Sequence, residues 1–382
     1  MKDNINRCIF HLPNYIDVRG KSGSQVRPMK MKKAFENLGY NVDFIMGYGE
    51  QRKRAINQIK ENIKSGIKYD FCYSESSTMP TLLTEKNHFP LYPNLDFGFM
   101  KFCRKHGIKI GLFYRDMFWK FEQYRTVVPW YQRIVTVPMY KYDLFQYNRR
   151  LNVLYLTSQR VDKWVKECTK PRIRYLPPGS DVDENIILQR KEHFKNRKKD
   201  DITIFYVGGV SGIYDISVFM EAVKYKSYLK LIVCCKEEEW KSQRHRYVQY
   251  VTPRVKIVHA FGAELERYYR EADICACYFD TERHPYMKMA SPIKLFEYLA
   301  HLTPILATTG SNAADFVEKN QIGWHIEYSK EAFLDWIDRI YINQEEIVKK
   351  HENTIQALPN HTWEKRAAQV VEDLGNRTGG MK

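Results

Sequence analysis

The sequence predicts an α/β protein built from two Rossmann-like domains. Strand-like and helix-like segments alternate along most of the chain, a pattern that forms parallel sheets covered by helices. The alternation stops at Pro177-Pro178-Gly179 and resumes near residue 202. The length of 382 residues fits two domains at about 100–200 residues each. We therefore expect one domain over residues 1–179 and a second over residues 180–361.

In the first domain, short apolar runs predict strands and longer amphipathic runs predict helices. Gly39 and Gly107 follow two of the helical runs and mark their ends. The predicted strands cover residues 8–12, 42–46, 69–74, 108–114 and 153–156. One predicted helix ends near Leu38, and two others cover residues 51–65 and 97–106.

The second domain repeats this pattern after a strongly polar segment. Residues 190–201 (RKEHFKNRKKDD) have almost no apolar side chains to bury, so we interpret them as an inter-domain linker. Strands are predicted at 202–207, 229–234, 255–258, 274–277 and 304–307, and helices near 217–223, 264–271, 293–301, 330–341, 345–357 and 363–374.

The positive charge is concentrated in the first half. Residues 1–179 contain 32 Lys and Arg against 15 Asp and Glu, whereas residues 180–382 contain 29 against 30. A net charge of +17 in one half favours polyanions, an anionic membrane surface or phosphorylated ligands. The alternative is that the charge serves only solubility.

The eight cysteines include no C-x-x-C pair, so we expect neither a zinc site nor a disulfide framework. We interpret them as small core residues in a reducing cytosol. No signal peptide is evident, and no apolar stretch approaches the roughly 18 residues of a membrane span. The expected location is therefore cytoplasmic.

The strongest local motif is Ala290-Ser291-Pro292-Ile293-Lys294 followed by Glu297. Ser291-Pro292 predicts a helix start, with Ser291 as N-cap and Pro292 in the first turn. A helix N-terminus with Lys294 beside it suits a diphosphate, and Glu297 can accept hydrogen bonds from ribose hydroxyls. The alternative is an ordinary capped amphipathic helix.

This motif resembles the donor-binding segment of glycosyltransferase family 4, whose members have the two-domain GT-B fold. The resemblance implies that residues 291–297 bind the nucleotide diphosphate and that Glu297 is the second Glu of the family's Glu-x7-Glu motif. Met289 replaces the first Glu, which contacts the donor sugar in the family. Glu282 is the candidate to replace that contact.

Other segments resemble the same family. Gly208 and Gly209 follow the first strand of the second domain, as in the family's loop that faces the pyrophosphate, although the basic residues usual there are missing. The candidates to neutralise phosphate are Lys294, Lys288, Arg283 and Lys236.

Ser22-Gly23-Ser24 resembles the family's N-terminal loop, which lines the acceptor side and approaches the donor phosphates. Residues 175–181 resemble the crossing between domains, so Asp181-Val182-Asp183 is interpreted as a turn and no metal dependence is expected. Residues 362–382 resemble the C-terminal helix that returns to the first domain.

The resemblance places the catalytic position at Arg115-Asp116, after the strand at 108–114. Arg115 stands where the family often has His, and because a guanidinium stays protonated it cannot be a general base. Arg115 is a candidate to hold a phosphate or an acceptor charge, and Asp116 to accept a proton or to pair with Arg115. The family retains anomeric configuration, with the leaving diphosphate as the candidate base.

Aromatic and basic residues alternate through residues 117–147. Such a segment suits a Tyr-rich core helix, a membrane interface or stacking on sugars or single-stranded nucleic acid. No nucleic-acid-binding motif accompanies it, so we expect no nucleic-acid partner.

The resemblance implies a metal-independent, retaining glycosyltransferase with no cofactor and with a UDP- or GDP-sugar as donor. Its expected acceptor is a glycan, lipid-linked, in cell-surface polysaccharide synthesis at the inner face of the plasma membrane. Two alternatives remain: another GT-B enzyme, such as a nucleotide-sugar epimerase or a phosphorylase, and a binding protein that uses the fold without catalysis.

Overall fold

The computed structural model describes residues 6–18, 23–197 and 201–375. The chain forms two compact units: unit 1 comprises Met1–Gly179 and Trp363–Lys382, and unit 2 comprises Ser180–Thr362. Each unit contains a six-stranded sheet whose strand pairs are all parallel. The predicted α/β fold class with two Rossmann-like domains is confirmed.

The sheet of unit 1 has the strand order β2-β1-β3-β4-β5-β6. The order reverses between β1 and β3, and in doubly wound sheets ligands bind outside the carboxyl ends of the strands at such a reversal. The strands are β1 (Arg7–His11), β2 (Asn41–Ile45), β3 (Phe71–Glu75), β4 (Lys109–Phe113), β5 (Val153–Leu156) and β6 (Arg172–Tyr175).

The helices of unit 1 connect these strands, and the final helix of the chain joins them. They are α1 (Gly23–Asn37), α2 (Gly49–Lys64), α3 (Leu95–Lys105), α4 (Glu122–Val127), α5 (Trp130–Arg150) and α14 (Trp363–Leu374).

Helix α14 completes the core of unit 1. Trp363, Ala367, Val370 and Leu374 are buried in the cluster that also contains residues of α1, β1 and β3. A side chain at Gly111 on β4 would collide with Leu374, because its Cβ would lie 2.7 Å from Leu374 Cδ1. The first 179 residues therefore do not contain the whole core of their own unit.

The sheet of unit 2 has the strand order β12-β11-β10-β7-β8-β9, which is the Rossmann order and reverses between β7 and β10. Its strands are β7 (Ile202–Val207), β8 (Leu229–Cys234), β9 (Val255–Val258), β10 (Ile274–Cys277), β11 (Ile305–Thr308) and β12 (Gly323–Ile326). Its helices are α6 (Glu184–Lys195), α7 (Ser217–Tyr225), α8 (Glu237–Tyr247), α9 (Glu266–Glu271), α10 (Ile293–Ala300), α11 (Asn312–Asn320), α12 (Lys330–Ile342) and α13 (Glu345–Ala357).

The prediction of a linker at residues 190–201 is wrong. Residues up to Lys195 belong to α6, and both Arg190 and Phe194 are buried. The Arg190 guanidinium donates hydrogen bonds of 2.7–3.1 Å to five oxygens of the unit 2 framework: the backbone oxygens of Tyr269, Arg270, Ala272 and His301, and Thr303 Oγ1. A largely polar helix is thus anchored in the core by an arginine together with Phe194.

The eight cysteines are buried with free thiols, as expected for small core residues. Among the described residues, no helix is long and apolar enough to cross a membrane.

Candidate functional site

Three segments of unit 2 meet where the strand order reverses. Gly208 and Gly209 follow β7, Phe279 lies just beyond β10, and α10 begins at Ile293. Because β7 and β10 are neighbours in the sheet, their carboxyl ends bring these segments together. This is the position at which Rossmann-type sheets bind nucleotides.

Lys294 lies at the centre of this group. Its Nζ is 4.4 Å from the ring centroid of Tyr206, 4.5 Å from that of Phe279 and 5.5 Å from that of Tyr214. Aromatic faces attract a cation at these distances, so the rings hold the ammonium in place without neutralising its charge. Burial lowers the pKa of Lys294 to about 8, although the nearby Glu297 carboxylate acts in the opposite direction.

Gly208 allows the close approach of Lys294. A Cβ at Gly208 would lie 2.8 Å from Lys294 Nζ and 3.1 Å from the Tyr206 hydroxyl. Gly208 also has φ +152°, a conformation that residues with side chains rarely adopt. The glycine predicted from the family loop and the predicted lysine are therefore in direct contact in the fold.

Glu239 on α8 stabilises the loop that contains Gly208, and the sequence analysis did not identify it as a site residue. Its Oε1 accepts hydrogen bonds from Val210 N at 3.0 Å and from Ser211 Oγ at 2.5 Å. A Cβ at Gly209 would lie 3.1 Å from this oxygen. Its position in a run of three glutamates at the start of α8 looks like solvated charge in the sequence, so no signal separated it from its neighbours.

Helix α10 begins one residue later than predicted. Pro292 is the N-cap, and Ser291 lies before it without capping the helix. Ser291 Oγ is buried and has no hydrogen-bond partner among the described residues. An unpaired hydroxyl beside the first turn of a helix is available to a ligand, since buried polar groups are normally paired. Glu297 lies one turn along the same helix and is partly buried.

The other predicted donor residues lie toward the surface of unit 2. Lys236 is exposed at the N-cap of α8. The Arg283 side chain is 81% exposed and lies 3.8 Å from Asp280, and Lys288 pairs with Glu282 at 2.5 Å. No described contact joins them to Lys294, so their roles remain predictions.

In unit 1, Arg115 follows β4 and is held by Glu75, which ends β3. Arg115 Nη2 donates to Glu75 Oε2 at 2.6 Å, and Arg115 Nε donates to the Ser76 carbonyl at 3.1 Å. On the other side of the carboxylate, Arg27 Nε lies 3.3 Å from Glu75 Oε1. Burial lowers the pKa of Arg115 and Glu75 opposes this effect.

Glu75 was missed by the sequence analysis, although a signal existed. It is fully buried, and it is the only charged residue in the otherwise neutral strand Phe71–Glu75. A carboxylate at the carboxyl end of a buried parallel strand points to a site at that edge of the sheet.

Asp116 Oδ1 accepts a hydrogen bond from Phe118 N at 2.8 Å, and the Asp116 carboxylate also favours the charged form of Arg115, which opposes the lowering of the Arg115 pKa by burial. In the predicted N-terminal loop, Ser22 lies outside the described residues, Gly23 is the first residue of α1, and the side chain of Ser24 is not described. The roles of these residues remain predictions. Asp183 caps α6, accepting from Asn185 N and Ile186 N, which agrees with its interpretation as part of a turn.

Residues 201–343 match the model of a family described as "Glycosyl transferases group 1". This range contains Gly208, Lys236, Ser291, Lys294 and Glu297. No curated protein matches the chain.

Similar solved structures include sucrose-phosphate synthase from Thermosynechococcus elongatus, with 15% identity, a TM-score of 0.59 and coverage of 96% of this chain and 97% of that one. The Anabaena protein HepE, solved in complex with UDP and glucose, has 12% identity, a TM-score of 0.59 and coverage of 96% and 98%. WaaG, a glycosyltransferase involved in lipopolysaccharide biosynthesis, has 13% identity, a TM-score of 0.58 and coverage of 98% and 100%. At such low identity these similarities establish the fold.

The fold and the family match agree with each other. The Rossmann-type unit 2 carries the matched segment, and the lysine and glycine singled out by the sequence meet inside that segment. The protein is a glycosyltransferase with the GT-B fold, and its residues 201–343 match the family model described as "Glycosyl transferases group 1".

Proposed function

We propose that this glycosyltransferase uses a UDP- or GDP-sugar as donor and transfers the sugar, with retention and without a metal ion, to a lipid-linked glycan. In this proposal the reaction belongs to cell-surface polysaccharide synthesis at the inner face of the plasma membrane. The observation that carries the donor assignment is the ammonium of Lys294, which lies over Gly208 at the strand reversal of unit 2.

A diphosphate explains this arrangement. Its negative charge is matched by an ammonium that the aromatic rings hold but do not neutralise. Gly208 lets the backbone approach the diphosphate closely. The unpaired Ser291 hydroxyl supplies a further hydrogen bond to it beside the first turn of α10. Glu297 is proposed to accept hydrogen bonds from the ribose hydroxyls. The UDP bound to the Anabaena protein favours a uridine donor.

Lys294 also supports the proposal of metal independence, because a lysine at the diphosphate supplies positive charge that a divalent ion supplies in other transferases. Retention is proposed with the leaving phosphate as proton acceptor, since Arg115 cannot act as a base. Transfer that continues in excess EDTA would support the first statement, and the anomeric configuration of the product, read by NMR, decides the second.

The primary test is a thermal-shift and activity screen against UDP-, GDP-, CMP- and dTDP-sugars. A donor present at 100 times its dissociation constant should add about 2.7 kcal/mol to the free energy of unfolding. Stabilisation by one donor, with release of its nucleotide when acceptor is added, supports the proposal. Failure of all donors to bind would refute it.

The affinity for UDP should depend on pH above 8. Lys294 is protonated below its pKa of about 8, so its attraction for the diphosphate is fully present there. At higher pH the free protein loses this charge, and binding must then take up a proton, so the affinity should fall by up to about tenfold per pH unit. Calorimetry from pH 6.5 to 9.5 measures this, and a flat profile would contradict it.

The membrane proposal rests on one surface of unit 1, which we call the α4–α5 surface and define as the described residues 125–141. Val127, Trp130 and Ile134 are 63–69% exposed there. Arg125, Arg133 and Lys141 line a groove of about 830 Å³ in the same surface. Exposed apolar side chains among cations fit an anionic bilayer, in which rings and aliphatic groups enter the interface and lysines and arginines meet the headgroups.

Other aromatic residues of the segment belong to the core, as one of the three sequence interpretations expects. Tyr124, Tyr140 and Tyr147 are buried, and Trp119 stacks on Tyr140 with ring centroids 5.1 Å apart. These buried rings pack the segment that carries the α4–α5 surface against the core of unit 1.

Replacing Trp130 and Ile134 with serine should lower binding to phosphatidylserine-containing vesicles by about tenfold or more, from the lost apolar burial. Vesicle sedimentation measures the change, and added salt should weaken binding by the parent protein. Leu188→Ser on α6 is the control, because Leu188 is 65% exposed but belongs to unit 2. Equal losses in both variants would count against the α4–α5 surface.

A further inference from the structure

The loop between β7 and α7, residues 208–216, is held in place by side chains of unit 2. We call it the β7–α7 loop. The Tyr206 hydroxyl donates a hydrogen bond of 2.6 Å to the Gly209 carbonyl. The hydroxyl of Tyr247, a buried residue of α8, donates to the Val210 carbonyl at 3.0 Å. Two successive carbonyl groups of the loop are therefore fixed in the free protein.

Glu239 holds hydrogen-bond donors of the same loop. Its Oε1 accepts from Val210 N at 3.0 Å and from Ser211 Oγ at 2.5 Å. One carboxylate oxygen thus binds two successive residues, and hydrogen bonds to a charged acceptor are stronger than those to a neutral one. Helix α8 therefore fixes the loop through two side chains, Glu239 and Tyr247.

The loop in turn carries groups that lie against Lys294. The Tyr214 backbone N donates to the Ser211 carbonyl at 3.0 Å, and the Tyr214 ring centroid lies 5.5 Å from Lys294 Nζ. A Cβ at Gly209 would lie 2.9 Å from Tyr214 Cδ2 and 3.1 Å from Glu239 Oε1. The ring and the carboxylate are thus packed against the same backbone atom. The hydrogen bonds of Glu239 are connected through this loop to the surroundings of Lys294.

The same contacts would also suit a carboxylate that the donor diphosphate displaces, because backbone N–H groups and hydroxyls are common ligands of phosphate. The two tyrosine hydroxyls argue against displacement, since they hold carbonyl oxygens of the same loop. The loop cannot turn the Val210 amide from α8 toward Lys294 without breaking those bonds as well. A fixed loop is therefore the better description of this arrangement.

We propose that Glu239 is a positioning residue for donor binding, because it keeps the β7–α7 loop in place against Lys294. The inference rests on the proposed function, since it concerns the site proposed for the donor diphosphate. Glu239 acts through the loop and does not itself contact the donor. A loop that is ordered in advance raises affinity, because the free protein has less conformational freedom to lose on binding.

The test is calorimetric titration of the full chain with UDP, and with GDP as a second probe. Glu239→Ala removes both hydrogen bonds and should weaken nucleotide binding by about tenfold. Glu239→Gln keeps an oxygen at the position of Oε1 and should bind within about threefold of the parent. Glu238→Ala is the matched control, because Glu238 is the preceding residue on α8, is exposed and makes the same change in charge.

The pH dependence of UDP binding gives a readout that a loss of folding does not produce. Release of the Tyr214 ring exposes the Lys294 ammonium to water, so its pKa, which burial lowers to about 8, should rise. Glu297 and Cys277 also act on Lys294, and they are the same in every variant. In Glu239→Ala the pH at which the affinity begins to fall should increase by more than about 0.5 pH unit. Glu239→Gln should keep the profile of the parent.

Ser211→Ala removes one of the two hydrogen bonds by a small change and should give a smaller loss of affinity in the same direction. Equal affinities of Glu239→Ala and Glu238→Ala, tighter binding by Glu239→Ala, or an equal loss in Glu239→Gln would overturn the inference. The parent protein is read separately. If it binds neither UDP nor GDP, the proposed donor itself is wrong, whereas binding by the parent and by Glu239→Ala alike contradicts only the role of Glu239.

Discussion

Replacing Lys294 with methionine should weaken UDP binding by about 100-fold, equivalent to about 3 kcal/mol, and should lower the transfer rate at least as much. The change removes the ammonium that lies among Tyr206, Tyr214 and Phe279. Methionine keeps a flexible apolar side chain among these rings. The free protein should therefore be as stable as the parent or slightly more stable, because a desolvated cation has been removed.

Calorimetry with UDP and thermal unfolding without it separate these two effects. Lys319→Met is the matched control, since Lys319 is exposed in the last turn of α11. It should change the affinity by less than about threefold. Equal losses of UDP affinity in both variants would contradict a role for Lys294 in donor binding. A loss of stability in the Lys294 variant would contradict the expected effect on folding.

Replacing Arg190 with methionine should destabilise unit 2 by about 3–5 kcal/mol. Burial lowers the pKa of Arg190 to about 10, so the guanidinium remains charged at neutral pH and its hydrogen bonds offset the cost of burying it. Without it, the carbonyl oxygens of Tyr269 and Ala272 and three further acceptors lose their donor inside the core.

Urea unfolding measures the loss, and hydrogen exchange resolved by peptide should localise it to β10 and α10 in unit 2. Lys191→Met is the control, because Lys191 is the next residue on α6 and is exposed. It should change the free energy of unfolding by less than about 0.5 kcal/mol. If the two variants unfold alike, the hydrogen bonds of Arg190 do not stabilise unit 2.

Arg190 also explains where sequence analysis failed. Apolar periodicity located most of the strands and helices because those elements bury apolar faces, but it missed the strands β6 and β12. Helix α6 buries an arginine, and its partners are backbone oxygens of Tyr269, Arg270, Ala272 and His301, which no side-chain pattern reveals. Because arginine is usually a surface residue, the polar composition of residues 190–201 led to their interpretation as a linker.

The candidate donor site was predicted in part for a similar reason. Lys294 and Gly208 were each identified from local motifs, but their contact depends on β7 and β10 being neighbours, which is a property of the sheet. Glu75 and Glu239 act through partners 40 and 28 residues away in sequence, so their roles appear only in three dimensions.

The position of α14 has a consequence for synthesis on the ribosome. Trp363 and Leu374 belong to the core of unit 1 but leave the exit tunnel after all of unit 2 has been translated. Until then, the newly made first 179 residues expose the apolar surface that α14 later covers. Unit 2 is continuous in sequence and has its whole core once residue 362 has emerged. Unit 1 is therefore synthesised first but completes its core last. We expect a nascent chain stalled before residue 363 to be a substrate for chaperones.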